Sequence, residues 1–229
     1  MGASILVGNP ATDADDALRR GARAADAAAD ATRAGRRPSA GLEDLDDLAD
    51  GSRRMEAAAE RIEDAAGDVM PRNGHWVDYN LRRTKDKALK PNVTYLSGEH
   101  DYLYKTDRQG RVEHVQIKGL KKKRHENRLP YDSKTFEKRE TDEAGHIIAD
   151  RFGGSPYIDN IVSQDKKLNH GDYYRLEQRW ATSIDEGRHV DVDIRLLYEG
   201  ESKRPIAFVI DEMIGGEFKS YYLENGLDH

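Results

Sequence analysis

The chain has 229 residues, a formal net charge of −6 and no cysteine. The absence of cysteine excludes a disulfide framework, a thiolate zinc site and a cysteine nucleophile. The first residues lack the basic and apolar pattern of a signal peptide, and no segment is long and apolar enough to span a bilayer. We therefore expect neither a classical leader nor membrane insertion.

The first 72 residues differ in composition from the rest of the chain. They contain no lysine and carry 10 basic against 15 acidic side chains. Alanine-rich stretches at residues 11–34 and 42–66 predict helices, but their large apolar side chains form only a thin stripe. We interpret residues 1–72 as a helical or partly disordered delivery or linker segment, with a solvated helical hairpin as the alternative, and residues 73–229 as a separate domain.

Charge is unevenly distributed within residues 73–229. Residues 73–140 have a net charge of +7, whereas residues 141–229 have a net charge of −8. A local cationic surface favours phosphate binding even in an acidic protein. The basic cluster, which consists of Lys121, Lys122, Lys123 and Arg124 with Arg128 just after it, is predicted to bind substrate phosphates, with a solvated loop as the alternative. Arg139 is a further candidate for substrate binding.

The patterning of residues 93–223 predicts an α+β domain with a mostly antiparallel sheet. Alternating or β-rich runs at residues 93–96, 102–105 and 111–117 predict a meander, with further strands at 190–196, 206–210 and 218–223. Apolar residues at helical spacing predict one main helix over residues 167–186, with Gly187 as its C-terminal cap.

The most informative motif begins with the run from Asp142 to His146. Asn160, Gln164, Asn169 and Glu177 follow it. A histidine and a nearby amide can supply a base for attacking water and an oxygen ligand for a divalent cation. Asn169 and Glu177 are eight residues apart, about 80° around a helix, and so share one face.

Each member of this motif also has a structural interpretation. His146 precedes the apolar run 147–149, which suits a half-buried strand, and a histidine there could be structural. Asn169 opens the predicted helix, where an asparagine often serves as N-cap. A glutamate on a helix is usually solvated, and His170 is expected to be a surface histidine.

The long gapped pattern resembles a known family. Asp-x-x-Gly-His, then Asn-Ile-Val-x-Gln-x-x-x-Leu-Asn-x-Gly-x-x-x-x-Leu-Glu, is similar to the DNA/RNA non-specific endonucleases, which are ββα-metal or His-Me finger nucleases. Residues 142–154 resemble the branch found at the C-terminus of bacterial polymorphic toxins. The resemblance covers about residues 90–225 and includes the turn at 202–205.

The resemblance implies a role for each motif residue. His146 would be the general base, Asn169 the direct ligand of a hydrated Mg²⁺ ion, with Mn²⁺ as a substitute, and Glu177 would hold one of the waters of that ion. Asp142, Asn160 and Gln164 would support the site. Many members carry arginine where this chain has Ala144. Arg151 is our candidate for the missing catalytic cation, with Arg139 in reserve, although both could form ordinary surface ion pairs.

The sequence thus predicts a metal-dependent, sequence-non-specific endonuclease that cuts DNA, with RNA as a second substrate, and leaves 5′-phosphate ends. The resemblance further implies a secreted antibacterial toxin. It would be made in the bacterial cytoplasm, exported through a secretion apparatus that engages residues 1–72, and neutralised by an immunity protein. Two alternatives stay open: an inactive nucleic-acid-binding module on the same fold, with Ala144 marking lost activity, and an interaction protein that works through its N-terminal helices.

Overall fold

The computed structural model describes residues 69–70, 74–77 and 88–226. In this part of the chain, seven strands form the main sheet: β1 (Val69–Met70), β2 (Thr94–Ser97), β3 (Tyr102–Thr106), β4 (Val112–Ile117), β7 (Val190–Tyr198), β8 (Pro205–Ile214) and β9 (Glu217–Glu224). They lie in the order β1-β2-β3-β4-β7-β8-β9. Every neighbouring pair is antiparallel except β1 and β2. The predicted meander, the C-terminal strands and the mostly antiparallel α+β class are confirmed.

A separate hairpin and the main helix form a ββα unit. Strand β5 (Asp142–His146) pairs with β6 (Ile161–Asp165) in antiparallel register. A short helix α1 (Lys166–Leu168) follows, then a π-helical turn (Asn169–Tyr173) and helix α2 (Tyr174–Asp185). Gly171, at φ −102° and ψ −108°, interrupts the helical backbone in that turn. Such π-turns occur often at functional sites.

The hydrophobic core lies between one face of the main sheet and the ββα unit. Alternate residues of β7 face inward and pair across the strands, so that Ile194 lies opposite Val115 on β4 and Ile210 on β8. These side chains are almost completely buried. The period-two pattern therefore supplies one apolar face, and burial of that face stabilises the domain.

Two aromatic residues fix α2 against the core. The Tyr173 ring packs edge-to-face against Phe208 of β8, with centroids 5.4 Å apart. The Trp180 indole N–H donates to the carboxylate of Glu212, 2.6 Å away on the inner face of β8. A buried tryptophan needs such an acceptor, because an unsatisfied N–H would be costly. The position of the helix is thus set by directional contacts as well as by apolar packing.

Two of the structural alternatives considered for the motif are wrong. The apolar run 147–149 is not a strand: the strand is β5, which ends at His146, and Ile147 and Ile148 are buried in the turn that follows. Asn169 is not a helix N-cap, because Asp165 fills that role by accepting from the backbone N–H groups of Lys167 and Leu168. Gly187 adopts a positive φ of 74° just after α2, as predicted for its C-terminal end.

The predicted N-terminal helices at residues 11–34 and 42–66 lie outside the described residues, as does the proposed boundary at 72 and 73. Strand β1 lies upstream of that boundary and pairs with β2 of the main sheet. Among the described residues, no helix is long and apolar enough to cross a membrane.

Candidate active site

His146 ends strand β5 and is largely shielded from solvent. Its pKa is lowered to about 4, mainly by burial and also by the nearby Arg128 guanidinium, while Asp150 acts in the opposite direction. The Tyr131 ring packs edge-to-face against the imidazole, with centroids 5.2 Å apart. A depressed pKa keeps the ring neutral near pH 7, which is the form that can accept a proton.

The turn after His146 is fixed by Asn160, which is fully buried. Its amide oxygen accepts from the Ile148 N–H at 2.9 Å and from the Tyr104 hydroxyl at 2.7 Å. Its amide nitrogen donates to the carbonyls of Ile148 at 2.9 Å and Ser155 at 2.8 Å. All four hydrogen-bonding positions of the amide are therefore used, and the backbone next to His146 is held in place.

Helix α2 is attached to the same stretch of chain through Tyr173. The Tyr173 hydroxyl donates to the Ile147 carbonyl at 2.8 Å, one residue after His146. Asn169 lies one turn before Tyr173, and Glu177 lies one turn after it. Glu177 follows Tyr173 by one turn of the regular helix and so shares its face. Asn169 precedes the break at Gly171 and contacts β5 through Glu143.

Glu177 is a half-buried carboxylate with no hydrogen-bond or ion-pair partner among the described residues. Burial raises its pKa to about 7, and only the Arg151 guanidinium counters this. An unpaired carboxylate in such a place is costly unless a cation or ordered water compensates for it. The effect of the Arg151 guanidinium on the pKa of Glu177 shows that the two side chains lie near each other; the role of Arg151 as catalytic cation stays a prediction.

Asn169 is oriented by a residue that the motif analysis did not assign. Its side-chain nitrogen lies 3.2 Å from Oε2 of Glu143, and the His170 ring nitrogen lies 2.6 Å from the same oxygen. Burial raises the pKa of Glu143, but the hydrogen bonds from His170 and Asn169 outweigh it and hold the pKa below its usual value. His170 is mostly exposed, as predicted.

Gln164 supports the hairpin by packing. It is fully buried, and neither atom of its amide has a hydrogen-bond partner in the part of the chain that the structure describes. A Cβ atom on Gly145 would lie 1.9 Å from the Gln164 amide oxygen and 2.6 Å from its Cβ. Only glycine fits at that position of the motif, because any other residue would push β5 and β6 apart.

Asp142 anchors the other end of β5. It is buried and accepts two hydrogen bonds from the Arg204 guanidinium, at 2.7 and 2.8 Å. The Arg139 backbone N–H donates to the same carboxylate, and the Arg139 guanidinium donates to the Gly226 carbonyl. Arg139 therefore lies at the opposite end of β5 from His146, whereas Arg151 follows His146 in the adjoining turn.

The basic cluster precedes strand β5 in the chain, and acidic side chains neutralise part of its charge. Lys123 is paired with Asp150 at 2.8 Å, and Lys122 with Asp185. Arg124 reaches Glu99 only at 3.9 Å and stays mostly exposed. Of the four side chains, Lys121 and Arg124 are therefore the more available to a phosphate.

Three residues contact or surround the motif in ways that the sequence did not predict, although Arg128 belonged to the basic stretch and Arg204 to the turn at 202–205. Arg128 and Tyr131 stand beside His146, with the Arg128 guanidinium 5.3 Å from the Tyr131 ring centroid. Arg204 completes the Asp142 anchor. The turn at 202–205 was a signal for Arg204, but nothing in the sequence linked it to Asp142.

The donor groups suit a hard divalent cation. Asn169 offers a neutral oxygen and Glu177 a half-buried carboxylate, and such oxygen ligands are preferred by Mg²⁺ and Mn²⁺. The half-buried Glu177 carboxylate, whose pKa is raised to about 7, is consistent with a site that holds an ion and ordered water. Within the described ranges, no three His, Cys, Asp or Glu side chains form a metal cluster.

A histidine at the end of a β-hairpin strand, followed by a helical segment that carries an asparagine and a glutamate and is bonded to the residue after the histidine, is the ββα arrangement of a His-Me finger nuclease. The chain belongs to the DNA/RNA non-specific endonuclease family, whose model matches residues 91–216. It is 33% identical over 144 residues to the type VII secretion system protein EssD of Staphylococcus aureus strain USA300; the match covers 59% of this chain and 23% of EssD.

Solved nuclease structures are also similar to this chain. NucA from Streptococcus agalactiae with bound magnesium aligns with a TM-score of 0.45 and 16% identity, over 65% of this chain and 78% of NucA. The Sda1 nuclease with bound zinc aligns with a TM-score of 0.36 and 20% identity, over 38% of this chain and 39% of Sda1.

Proposed function

We propose that this chain is a metal-dependent endonuclease that hydrolyses phosphodiester bonds of DNA, and of RNA, without sequence specificity. The observation that carries the proposal is the geometry of the ββα unit. A half-buried histidine with a depressed pKa ends β5, and the Tyr173–Ile147 hydrogen bond attaches the helical segment that carries Glu177 to the next residue. Asn169, at the start of the same segment, contacts Glu143 of β5.

In this proposal His146 accepts a proton from the attacking water. The imidazole can do so because burial keeps it neutral at the pH of the reaction. Asn160 holds the adjoining backbone, so that the ring has little freedom to turn away from the substrate. Asn160 thus contributes to orientation and takes no part in bond making.

Asn169 and Glu177 would hold the divalent cation, Asn169 through its amide oxygen and Glu177 through hydrogen bonds from water around the ion. When bound, such an ion neutralises charge that develops on the phosphate and on the departing 3′ oxygen. Arg151 would add positive charge near Glu177, in place of the arginine that many family members carry where this chain has Ala144. The expected products carry 5′-phosphate and 3′-hydroxyl ends.

Substrate binding would rest on phosphate contacts. The basic cluster lies on the loop that leads to Arg128 and Tyr131 beside His146. Phosphate contacts carry no base information, which fits a non-specific enzyme with salt-sensitive affinity. Lys121 and Arg124 would contribute most, because Lys122 and Lys123 already have acidic partners.

We further propose that the nuclease is an antibacterial toxin effector. The similarity to part of a type VII secretion system protein supports export from the bacterial cytoplasm through a specialised apparatus. Residues 1–72 would be the segment that this apparatus engages, or a linker between that segment and the nuclease domain. A cell that makes such a nuclease needs an immunity protein, which would cover the catalytic hairpin.

The nuclease proposal is tested by incubating supercoiled plasmid and a structured RNA with the purified chain in Mg²⁺, in Mn²⁺ and in EDTA. We expect metal-dependent cutting, 5′-phosphate ends by end labelling, and a rate reduced at least about a hundredfold in Asn169→Ala. Binding without cutting under all conditions would instead support the inactive-module alternative. The toxin proposal predicts that expression in a bacterial host blocks growth, and that His146→Ala relieves the block.

A further inference from the structure

The orientation of the Asn169 amide is determined by its neighbour. An asparagine has a donor end and an acceptor end, and only the oxygen end can bind a cation. The amide nitrogen lies 3.2 Å from Oε2 of Glu143. A carboxylate only accepts hydrogen bonds, so the NH₂ group must face Glu143 and the oxygen must face away from it.

Glu143 is itself held in position. It lies on β5, three residues before His146, and pairs across the hairpin with Gln164. The His170 ring nitrogen lies 2.6 Å from the same Glu143 oxygen that receives the Asn169 amide. The Glu143 side chain is 36% exposed. His170 and Asn169 therefore hold the Glu143 carboxylate in place, and the carboxylate in turn orients the Asn169 amide.

We propose that Glu143 is a positioning residue for the metal site: it holds the Asn169 amide so that its oxygen, and not its nitrogen, faces the cation. This inference rests on the proposed function, in which Asn169 is the ligand. Without an acceptor at position 143, the amide can rotate by half a turn and present a donor group to the ion. The role requires a hydrogen-bond acceptor at this position, and the negative charge of Glu143 is dispensable.

The test measures Mn²⁺ affinity of the full chain by isothermal titration calorimetry, and it needs no substrate. Glu143→Met keeps the side-chain length and removes the acceptor, whereas Glu143→Gln keeps an acceptor oxygen and removes the charge. Removing an outer partner of a metal ligand typically weakens affinity about 10- to 100-fold. We therefore expect Glu143→Met to bind at least about tenfold more weakly, and Glu143→Gln to stay within about threefold of the wild type.

Glu113→Met is the matched control. Glu113 is also a strand glutamate paired with a cation, Lys105, and its side chain is 35% exposed. Its loss should leave Mn²⁺ affinity unchanged. Thermal melting checks that each variant is folded, and Glu143→Ala replaces Glu143→Met if the latter does not melt cooperatively.

The outcomes separate this inference from the proposed function. Wild-type affinity in Glu143→Met would overturn the positioning role. Equal losses in Glu143→Met and Glu143→Gln would also overturn it, because the carboxylate charge would then be what matters, as in direct ligation. If the wild type binds no Mn²⁺, or if Asn169→Ala binds as well as the wild type, the proposed metal site itself fails.

Discussion

The buried pair Asp142–Arg204 should be the strongest single link between the catalytic hairpin and the main sheet. It joins the start of β5 to the residue that precedes β8 through two hydrogen bonds, at 2.7 and 2.8 Å, and both side chains are at most 4% exposed. Net contributions of about 1.5–3 kcal/mol for each charge-assisted bond agree with a loss of about 3–5 kcal/mol when one partner of a buried pair is removed. Arg204→Met, which keeps most of the stem, should therefore lower the free energy of unfolding by about 3–5 kcal/mol.

The measurement is urea unfolding followed by tryptophan fluorescence at pH 7. Lys105→Met is the control, because it breaks the Lys105–Glu113 pair, whose side chains are 56% and 35% exposed. Such an exposed pair contributes about 0–1 kcal/mol. If Arg204→Met lowers the free energy of unfolding by no more than Lys105→Met does, the Asp142–Arg204 pair does not hold the β5–β6 hairpin.

The same pair gives a pH dependence with a defined sign. Burial raises the pKa of Asp142, but the Arg204 guanidinium and the Arg139 backbone N–H outweigh it and hold the pKa below its usual value. A carboxyl with a depressed folded pKa contributes stability that is present above its unfolded pKa of about 3.9 and is lost as the pH falls through the lower folded value. The difference in the free energy of unfolding between wild type and Arg204→Met should therefore have its full size at pH 7 and decrease below about pH 4. A constant gap down to pH 2 would contradict this.

Further predictions concern the site. Gly145→Ala should cost about 1–3 kcal/mol in urea unfolding, because the new Cβ overlaps Gln164; unchanged stability would refute the packing argument. Arg151→Ala should lower kcat about tenfold or more with little change in KM, whereas a pure KM effect would assign Arg151 to ground-state binding. Replacing Lys121 and Arg124 by glutamine should raise KM and reduce its salt dependence, and an unchanged salt slope would exclude phosphate contacts. The His146 ring, followed by NMR in the metal-free protein, should titrate well below its ordinary pKa of about 6.5, because burial disfavours the charged form.

The main sheet was predictable because its strands obey a simple period. Residues 190–196 alternate cleanly, and the structure buries Val190, Val192, Ile194 and Leu196 on one face. The β5–β6 hairpin was harder to predict from the sequence. Strand β5 is polar, and its strand conformation depends on pairing with β6 and not on its own propensity. The neighbouring apolar run 147–149 looked more like a strand but serves as a buried turn.

The motif identified the candidate ligands and base but not the residues that orient them. Glu143 could be read as an exposed charge, and its contact with Asn169 arises only because the π-turn brings that residue back over β5. Arg204 lies 62 residues from Asp142 in sequence. Pairings over such distances depend on the tertiary fold, which a single sequence does not reveal.

The central claim is that His146 is the base of a metal-dependent hydrolysis. Supercoiled plasmid incubated in Mg²⁺ with wild type and with His146→Ala, each with an EDTA control, tests this most directly. We expect cutting by the wild type that EDTA abolishes, and a rate lowered at least about a hundredfold in a folded His146→Ala variant. Equal cutting by the two proteins, or cutting that persists in EDTA, would contradict the account.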